Sequence, residues 1–338
     1  MTQPQTSPTR GTPPVHPLLS LEDVRVEFSI QKGFFHAVTL PAVGGVTLDV
    51  QRGETVAVVG ESGSGKTTLG RATLRLVKPA GGRIVFDGVD ITKTPRDNLA
   101  WFRRRAQAVF QDPFSSIDPN MTIFESVEEP LVIHRLGDRK ERRERVYQAL
   151  ADVRLQPPEE IGRRYPHLLS GGQRQRASIA RALVLRPDYI VADEAVSMVD
   201  ASSRVEILGL LKGLQQSYGI SFLYITHDIA TARYFAHRIA VMYLGYIVEL
   251  GTPEQVIDNP LHPYTRALVA AVPEPDPANR LAERPVVPGE PPNPLAMPVG
   301  CPFHPRCPVL VRGRSDVVRP SLREVEPGHL VACHLYGG

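Results

Sequence analysis

Gly60-Glu61-Ser62-Gly63-Ser64-Gly65-Lys66-Thr67-Thr68 follows an apolar run, Thr55 to Val59, and opens a segment with apolar residues at helical spacing. The pattern G-x4-G-K-[ST] between a strand and a helix is a phosphate site: the glycines let consecutive backbone N–H groups curl around an anion. Lys66 reaches the β and γ oxygens of a nucleoside triphosphate, and Thr67 can place its hydroxyl on Mg²⁺. Tyr189-Ile-Val-Ala192 is a second continuous apolar run, as expected of a strand covered on both faces, and it ends in Asp193 and Glu194. Asp193 suits the Mg²⁺ shell, while Glu194 can polarise a water for attack on the γ-phosphate. Gln111, in VFQDP, and His227, in LYITHD, each stand where an apolar strand gives way to a loop, which is where α/β folds place ligand contacts. Both fall on the γ-phosphate side of one common pocket, and Gln111 is also a candidate ligand of Mg²⁺. Alone, each of these groups is an ordinary loop or cap residue; the phosphate loop gives them a shared purpose.

Leu169-Ser-Gly-Gly-Gln-Arg-Gln-Arg176 offers a further anion site. Ser170 is a helix cap, Gly171, Gly172 and Gln173 follow with bare amides, and the apolar pattern starts only at Ala177, Ile179, Ala182 and Leu183. The phosphate loop lies far upstream, so the anion that this second helix start faces is not obvious from position alone.

These groups must be held by a parallel α/β core. Leu21 to Phe28 and Val43 to Val50 read as an N-terminal β edge, and a helix after the loop presents Leu69, Thr73, Leu76 and Val77 on one face. A helical insert occupies about residues 112–187, mainly helical from Asn120 to Pro187, with Gln148, Ala149, Leu150, Val153 and Leu155 in one amphipathic segment. Strands return at Tyr189 and at Ile220 to Ile225. The expected fold class is α/β, a phosphate-loop NTPase core with an antiparallel β edge and a helical insert. Near residue 273 the proline-rich VPEPDP and RPVVPGEPPNPLAMP mark a boundary: a disordered tail over 1–17, a phosphate-loop domain over 18–272 and a small extension with prolines and cysteines over 273–338.

Composition narrows the class. With 338 residues, 42% of them hydrophobic, the chain can bury a sizeable core, and a net charge of +3 gives no global basic field for nucleic acid. The runs Arg103-Arg104-Arg105 and Arg139 to Arg145 read as solvated helix faces. No apolar run approaches the roughly 18 residues that span a bilayer. The first seventeen residues lack the apolar centre of a signal peptide, which points to the cytoplasm. The three cysteines, all beyond residue 300, form no disulfide framework.

Taken in order, GESGSGKTT, the VFQDP glutamine, LSGGQRQR, IVADE, SMVD and the ITHD histidine resemble an ATP-binding-cassette ATPase over roughly residues 20–265. The resemblance implies ATP and Mg²⁺ as ligands and a head-to-tail dimer of cassettes. In that dimer Ser170, Gly171, Gly172 and Gln173 close over ATP held by the partner chain. It also implies adenine stacking by Phe28 and a dimer seam lined by Ser197 to Asp200. Asn259 to Leu268, Pro288 to Pro294, Gly300 to Pro308 and His329 to His334 are similar to the tail of oligopeptide/dipeptide permease ATP-binding subunits. That likeness implies a second ATPase subunit, the same or different, two membrane-spanning permeases, an extracytoplasmic binding protein upstream and a place on the cytoplasmic face of the membrane. The insertion Gly33-Phe34-Phe35 leans toward the second of two paired subunits.

Two positions depart from the family pattern. Ala195 stands where the family usually has proline, which removes a fixed φ but no catalytic atom. Related tails often carry four cysteines for an iron–sulfur cluster; this chain has Cys301, Cys307 and Cys333, an incomplete set, with Arg314 near the place of the missing ligand. His304, His329 or His334 could complete a zinc site or a histidine-ligated cluster, or the cysteines are small packing residues. The competing reading is a soluble cassette ATPase of DNA repair or translation, which would show tandem cassettes or a long coiled-coil insertion. A nucleotide kinase or switch GTPase has no need of LSGGQ or the downstream histidine.

Overall fold

The computed structural model describes residues 16–32, 36–112, 116–272, 289, 290, 292, 293 and 295–337. Gly33 to Phe35, most of the N-terminal tail and the proline-rich residues 273–288 lie outside the described residues. In chain order the strands are β1 (Leu19–Lys32), β2 (His36–Val50), β3 (Thr55–Val59), β4 (Gly81–Phe86), β5 (Val89–Asp90), β6 (Ala106–Val109), β7 (Tyr189–Asp193), β8 (Ser221–Thr226), β9 (Arg238–Tyr243), β10 (Tyr246–Gly251), β11 (Arg323–Glu326) and β12 (His329–Val331). The α-helices are α1 (Lys66–Thr73), α2 (Ala100–Arg105), α3 (Ile123–Ile133), α4 (Arg139–Asp152), α5 (Pro158–Arg163), α6 (Gly171–Leu183), α7 (Ala201–Tyr218), α8 (Ile229–Phe235) and α9 (Pro263–Ala270).

Two sheets result. The smaller is antiparallel in the order β2-β1-β4-β5, and the larger runs β11-β12-β10-β9-β3-β8-β7-β6. From β9 to β6 the larger sheet is parallel, with Val59 opposite Thr226 and Asp193 opposite Ile225. Its central strands β3, β7 and β8 are buried at every residue, which is why their sequences are apolar without alternation. Each face nevertheless has its own partner. Val56 and Val58 pack with Leu69 and Ala72 of α1 and with Leu21, Val26 and Phe86 of the smaller sheet, while Ala57 and Val59 face the cluster holding Ile179, Leu208 and Phe235. The main sheet is therefore the middle layer, and the period-two pleat of β3 decides which residues join which core.

Between β6 and β7 the chain is helical. α3 and α4 each start with a full capping box, Thr122 with Glu125 and Asp138 with Glu141. Val146, Ala149 and Leu150 are the buried residues of α4, whose basic positions mostly face outward. Of the other basic run, Arg105 is spoken for: it bridges Asp87 and Asp188 just before β6 starts.

The helix after the phosphate loop is shorter than the spacing of Leu76 and Val77 suggests. α1 ends at Thr73, Arg75 takes a φ of +55°, and Leu76 is exposed. The N–H groups of Arg75 and Leu76 turn back onto Ala72 O and Arg71 O, and Pro79 forbids continuation. Leu69 and Thr73 are buried as the pattern requires, but Leu76 is not part of that face.

Residues beyond 295 return to the nucleotide-bearing sheet. β12 pairs with β10 through Glu249–Val331 and Leu250–Leu330, β11 adds outside it, and Cys301 and Phe303 enter the main core cluster.

Candidate functional site

The C-terminal ends of β3, β6, β7 and β8 lie side by side, and each delivers one of the groups singled out from the sequence. β3 runs into the phosphate loop, whose backbone can curl because Gly60, Gly63 and Gly65 all adopt positive φ. At Gly65 the requirement is absolute: φ is +100° and an added Cβ would sit 2.2 Å from Ala42 O. Gly65 is also the start of α1 and caps it without a side chain, so the first amides of that helix remain with the loop. Lys66 is almost fully buried and donates to Gly60 O and Glu61 O, both at 2.8 Å. Burial lowers its pKa, opposed by the carboxylates of Glu194, Asp193 and Glu61.

Thr67 Oγ1 donates to Asp193 Oδ1 at 3.0 Å. Burial pushes the Asp193 carboxyl upward, with the Thr67 hydrogen bond working against it. A hydroxyl and a desolvated carboxylate side by side are hard oxygen donors that fit Mg²⁺, whose charge would offset the desolvation of Asp193. Glu194, next in the chain, has a φ of +48°, costly for a residue with a side chain. The turn is held by its N–H on Ile225 O at 2.9 Å and by Ser197, whose N–H and hydroxyl both donate to Glu194 O at 3.0 Å. These bonds fix the turn with the buried Ala195 in place of a proline. His227, at the end of β8, puts Nδ1 3.2 Å from Glu194 Oε1 and is otherwise largely exposed. Gln111 is exposed just beyond β6, the strand beside β7.

The LSGGQ segment is elsewhere. Ser170 caps α6, its Oγ accepting from Gln173 N at 3.3 Å while Gln173 Oε1 accepts from Ser170 N at 3.0 Å. The two polar side chains thus satisfy each other's backbone, and the amides of Gly171 and Gly172 belong to the turn that has no intrahelical acceptor. An added Cβ at Gly171 would meet nothing within 4 Å. Asp200 caps α7 through Ser203 N at 2.9 Å, and hydrogen bonds from Ser202 and Ser203 hold its carboxyl well below the usual range. Phe28 is exposed on β1.

In the tail, Cys301, Cys307 and Cys333 line one small cavity with His304 and His334. Burial raises all three thiols, Cys301 to about 11. Each candidate histidine makes a polar contact through one ring nitrogen. His329 Nε2 lies 2.8 Å from the buried carboxylate of Glu249, His334 Nε2 is on Val318 O and His304 Nδ1 is on Cys301 O. Among the described residues no group of three or more histidines, cysteines or carboxylates is arranged to hold a metal ion, so the residues do not fit an iron–sulfur cluster.

Two contacts had no sequence signal. Tyr264 of α9 accepts from Glu61 N at 2.9 Å, and Arg306 Nη1 lies 3.1 Å from Glu61 Oε2. Arg306 stands inside the stretch Gly300 to Pro308, yet nothing local pairs it with the phosphate loop.

The chain is similar to known proteins over most of its length. Residues 43–197 match the family described as ABC transporter, and residues 248–312 match the oligopeptide/dipeptide transporter C-terminal region. The chain is 47% identical to a putative peptide import ATP-binding protein of Brucella ovis over 94% of its own length and 97% of the relative's. It is 43% identical to the oligopeptide transport ATP-binding protein AppF of Bacillus subtilis, over 94% of this chain and 97% of that one. Among solved structures it is similar to the ATP-binding cassette MJ0796 in a dimeric post-hydrolysis state bound to ADP and Pi, with a TM-score of 0.61, 31% identity, and coverage of 70% of this chain and 98% of that one.

Proposed function

The chain belongs to the ABC transporter family as an ATP-hydrolysing subunit, and from that premise we propose that it powers import of di- or oligopeptides. The observation that supports this cargo class most is the tail: the relatives named for peptide import match over 94% of the chain, through the extension and not the ATPase core alone. The same coverage argues against a soluble repair or translation ATPase. Residues 18–272 form the ATPase unit and 273–338 the transporter-type extension. Among the described residues no helix is long and apolar enough to cross a membrane, so the membrane path belongs to partners. Those partners are a second ATPase subunit and two permeases on whose cytoplasmic face the pair sits, with an extracytoplasmic binding protein delivering cargo.

In this reading Phe28 stacks on adenine, and the amides of the loop from Gly60 to Thr68, with Lys66, hold the β- and γ-phosphates. Thr67 and Asp193, joined by Gln111, would hold Mg²⁺, which supplies charge neutralisation on the β and γ oxygens. Glu194 accepts the proton of the attacking water, and His227, 3.2 Å from its Oε1, orients that carboxylate and faces the γ-phosphate. Ser170 to Gln173 complete the site of the partner chain, with Ser197 to Asp200 along the seam. The place of Cys301 in the main core cluster, with Cys307 packed against it, supports reading Cys301, Cys307 and Cys333 as packing residues.

Proteoliposomes holding the assembled complex test the proposal. Peptide uptake is expected to require the binding protein, ATP and Mg²⁺, and Glu194→Gln should lower hydrolysis by about 10²–10⁴-fold, the usual contribution of a positioned base, while ATP still binds. ATP hydrolysis without uptake of any di- or oligopeptide would overturn the cargo assignment.

A further inference from the structure

We propose that the C-terminal extension is part of the nucleotide site, with Arg306 a positioning residue that sets the phosphate loop through Glu61. The proposal rests on ATP binding at that loop and is independent of the cargo.

Glu61 is gripped at each of its polar groups. Its N–H donates to Tyr264 Oη at 2.9 Å, its carbonyl accepts from Lys66 Nζ at 2.8 Å, and its carboxylate receives Arg306 at 3.1–3.4 Å through both terminal nitrogens. The residues that grip it are themselves fixed. Tyr264, Tyr243 and Phe303 are buried and pack together with ring centroids 4.6, 5.3 and 5.5 Å apart. Arg306 emerges from this group, 7% exposed, with its Nη1 3.4 Å from Tyr243 Oη. β9, which carries Tyr243, leads directly to Gly245, whose N–H donates to Ser64 O at 2.9 Å. Two segments far apart in sequence therefore converge on the same loop.

The consequence is electrostatic as well as geometric. The loop must accept a polyanion, yet its second residue is a carboxylate. Arg306 offsets that charge, and by holding Glu61 it also holds the carbonyl that aims the Lys66 ammonium. Removing a nearly buried guanidinium leaves its partner's charge uncompensated beside the phosphates. Glu194 and the water it activates are not touched, so the effect falls on ATP affinity and not on the chemical step.

A double-substitution cycle on the full-length chain reads this directly. Equilibrium binding is measured by displacement of a fluorescent ATP analogue with ATP, and KM and kcat are measured in the assembled complex. Arg306→Gln should weaken ATP binding by roughly tenfold, equivalent to about 1.4 kcal/mol, and raise KM with kcat within about twofold. The same change in the Glu61→Gln background should weaken ATP by no more than about twofold, because the charge to be offset is gone. A purely structural role predicts no such rescue. Should Arg306→Gln fail to fold, Arg306→Lys takes its place, with about threefold weaker binding beside Glu61 and no change beside Glu61→Gln. Equal effects in both backgrounds, or unaltered affinity in the single variant, overturn the proposal. Lys66→Ala is the control: if the unaltered chain binds ATP no better than Lys66→Ala, it is the phosphate-site assignment that fails, and not the role of Arg306 alone.

Discussion

Two helix starts in this chain, α1 after the phosphate loop and α6 after Leu169, present backbone amides to an anion, and they are finished in opposite ways. α1 begins at a left-handed glycine with no side-chain cap, and its loop is enclosed by Tyr264, Gly245 and Lys66 from the same chain. α6 begins with a complete capping box that satisfies Ser170 and Gln173 internally, and around Gly171 there is open space. The first start is a site already equipped with its own cation and carboxylates. The second has neither a basic nor an acidic group in its box; the side chains of Ser170 and Gln173 are satisfied, and what it offers is two glycine amides without an intrahelical acceptor. A helix end of that kind is suited to close against something that already carries charge, which is the arrangement expected when the nucleotide is held by another chain.

Three changes probe that contrast, in decreasing order of effect. Lys66→Ala strikes the self-contained site: losing a charged donor worth about 3 kcal/mol should weaken ATP binding by about a hundredfold in the isolated chain. Calorimetric titration checks this, and retained affinity would withdraw the assignment of this loop as the phosphate site. Gly171→Trp strikes the other start. Because an added Cβ there meets nothing, thermal stability and ATP binding of the single chain should be unchanged. ATP hydrolysis by the assembled complex should nevertheless fall by more than about tenfold. ATP-dependent association of the Glu194→Gln protein with its second subunit, followed by size-exclusion chromatography, should vanish. If association survives, α6 does not close over a partner's nucleotide. Ser170→Ala is the mildest, costing about 1 kcal/mol of stability through loss of the cap, seen as a lower urea midpoint with an unchanged m-value.

The site's parts were legible in proportion to how local they are. Gly60 to Thr67, Asp193-Glu194 and His227 each announce themselves by a strand running into a loop, and the parallel order of β3, β8 and β7 brings them together. The capping pair Ser170 and Gln173 is likewise an i, i+3 pattern. The end of α1 was not legible from periodicity: the positive φ at Arg75 and the turn-back onto Arg71 stop the helix while the apolar spacing continues to Val77. Nor could spacing pair Arg306 with Glu61 across 245 residues. The composition change near 273 marks where the chain leaves the core but carries no sign that Phe303 and β12 come back to it. That return depends on the pairing of β12 with β10, a tertiary fact.

The placement of β3 between β8 and β9 has a consequence for how the protein is made. The phosphate loop leaves the ribosome early, but both strands that flank it are encoded about 160 residues or more downstream. Until residue 226 has emerged Val56 to Val59 have neither neighbour, they lack the second until residue 241, and Ser64 has no Gly245 to bond until residue 245. Nucleotide therefore cannot template the early steps of folding. It can stabilise only the finished chain, and the long-range pairing that completes its pocket is a slow step that leaves an apolar strand waiting.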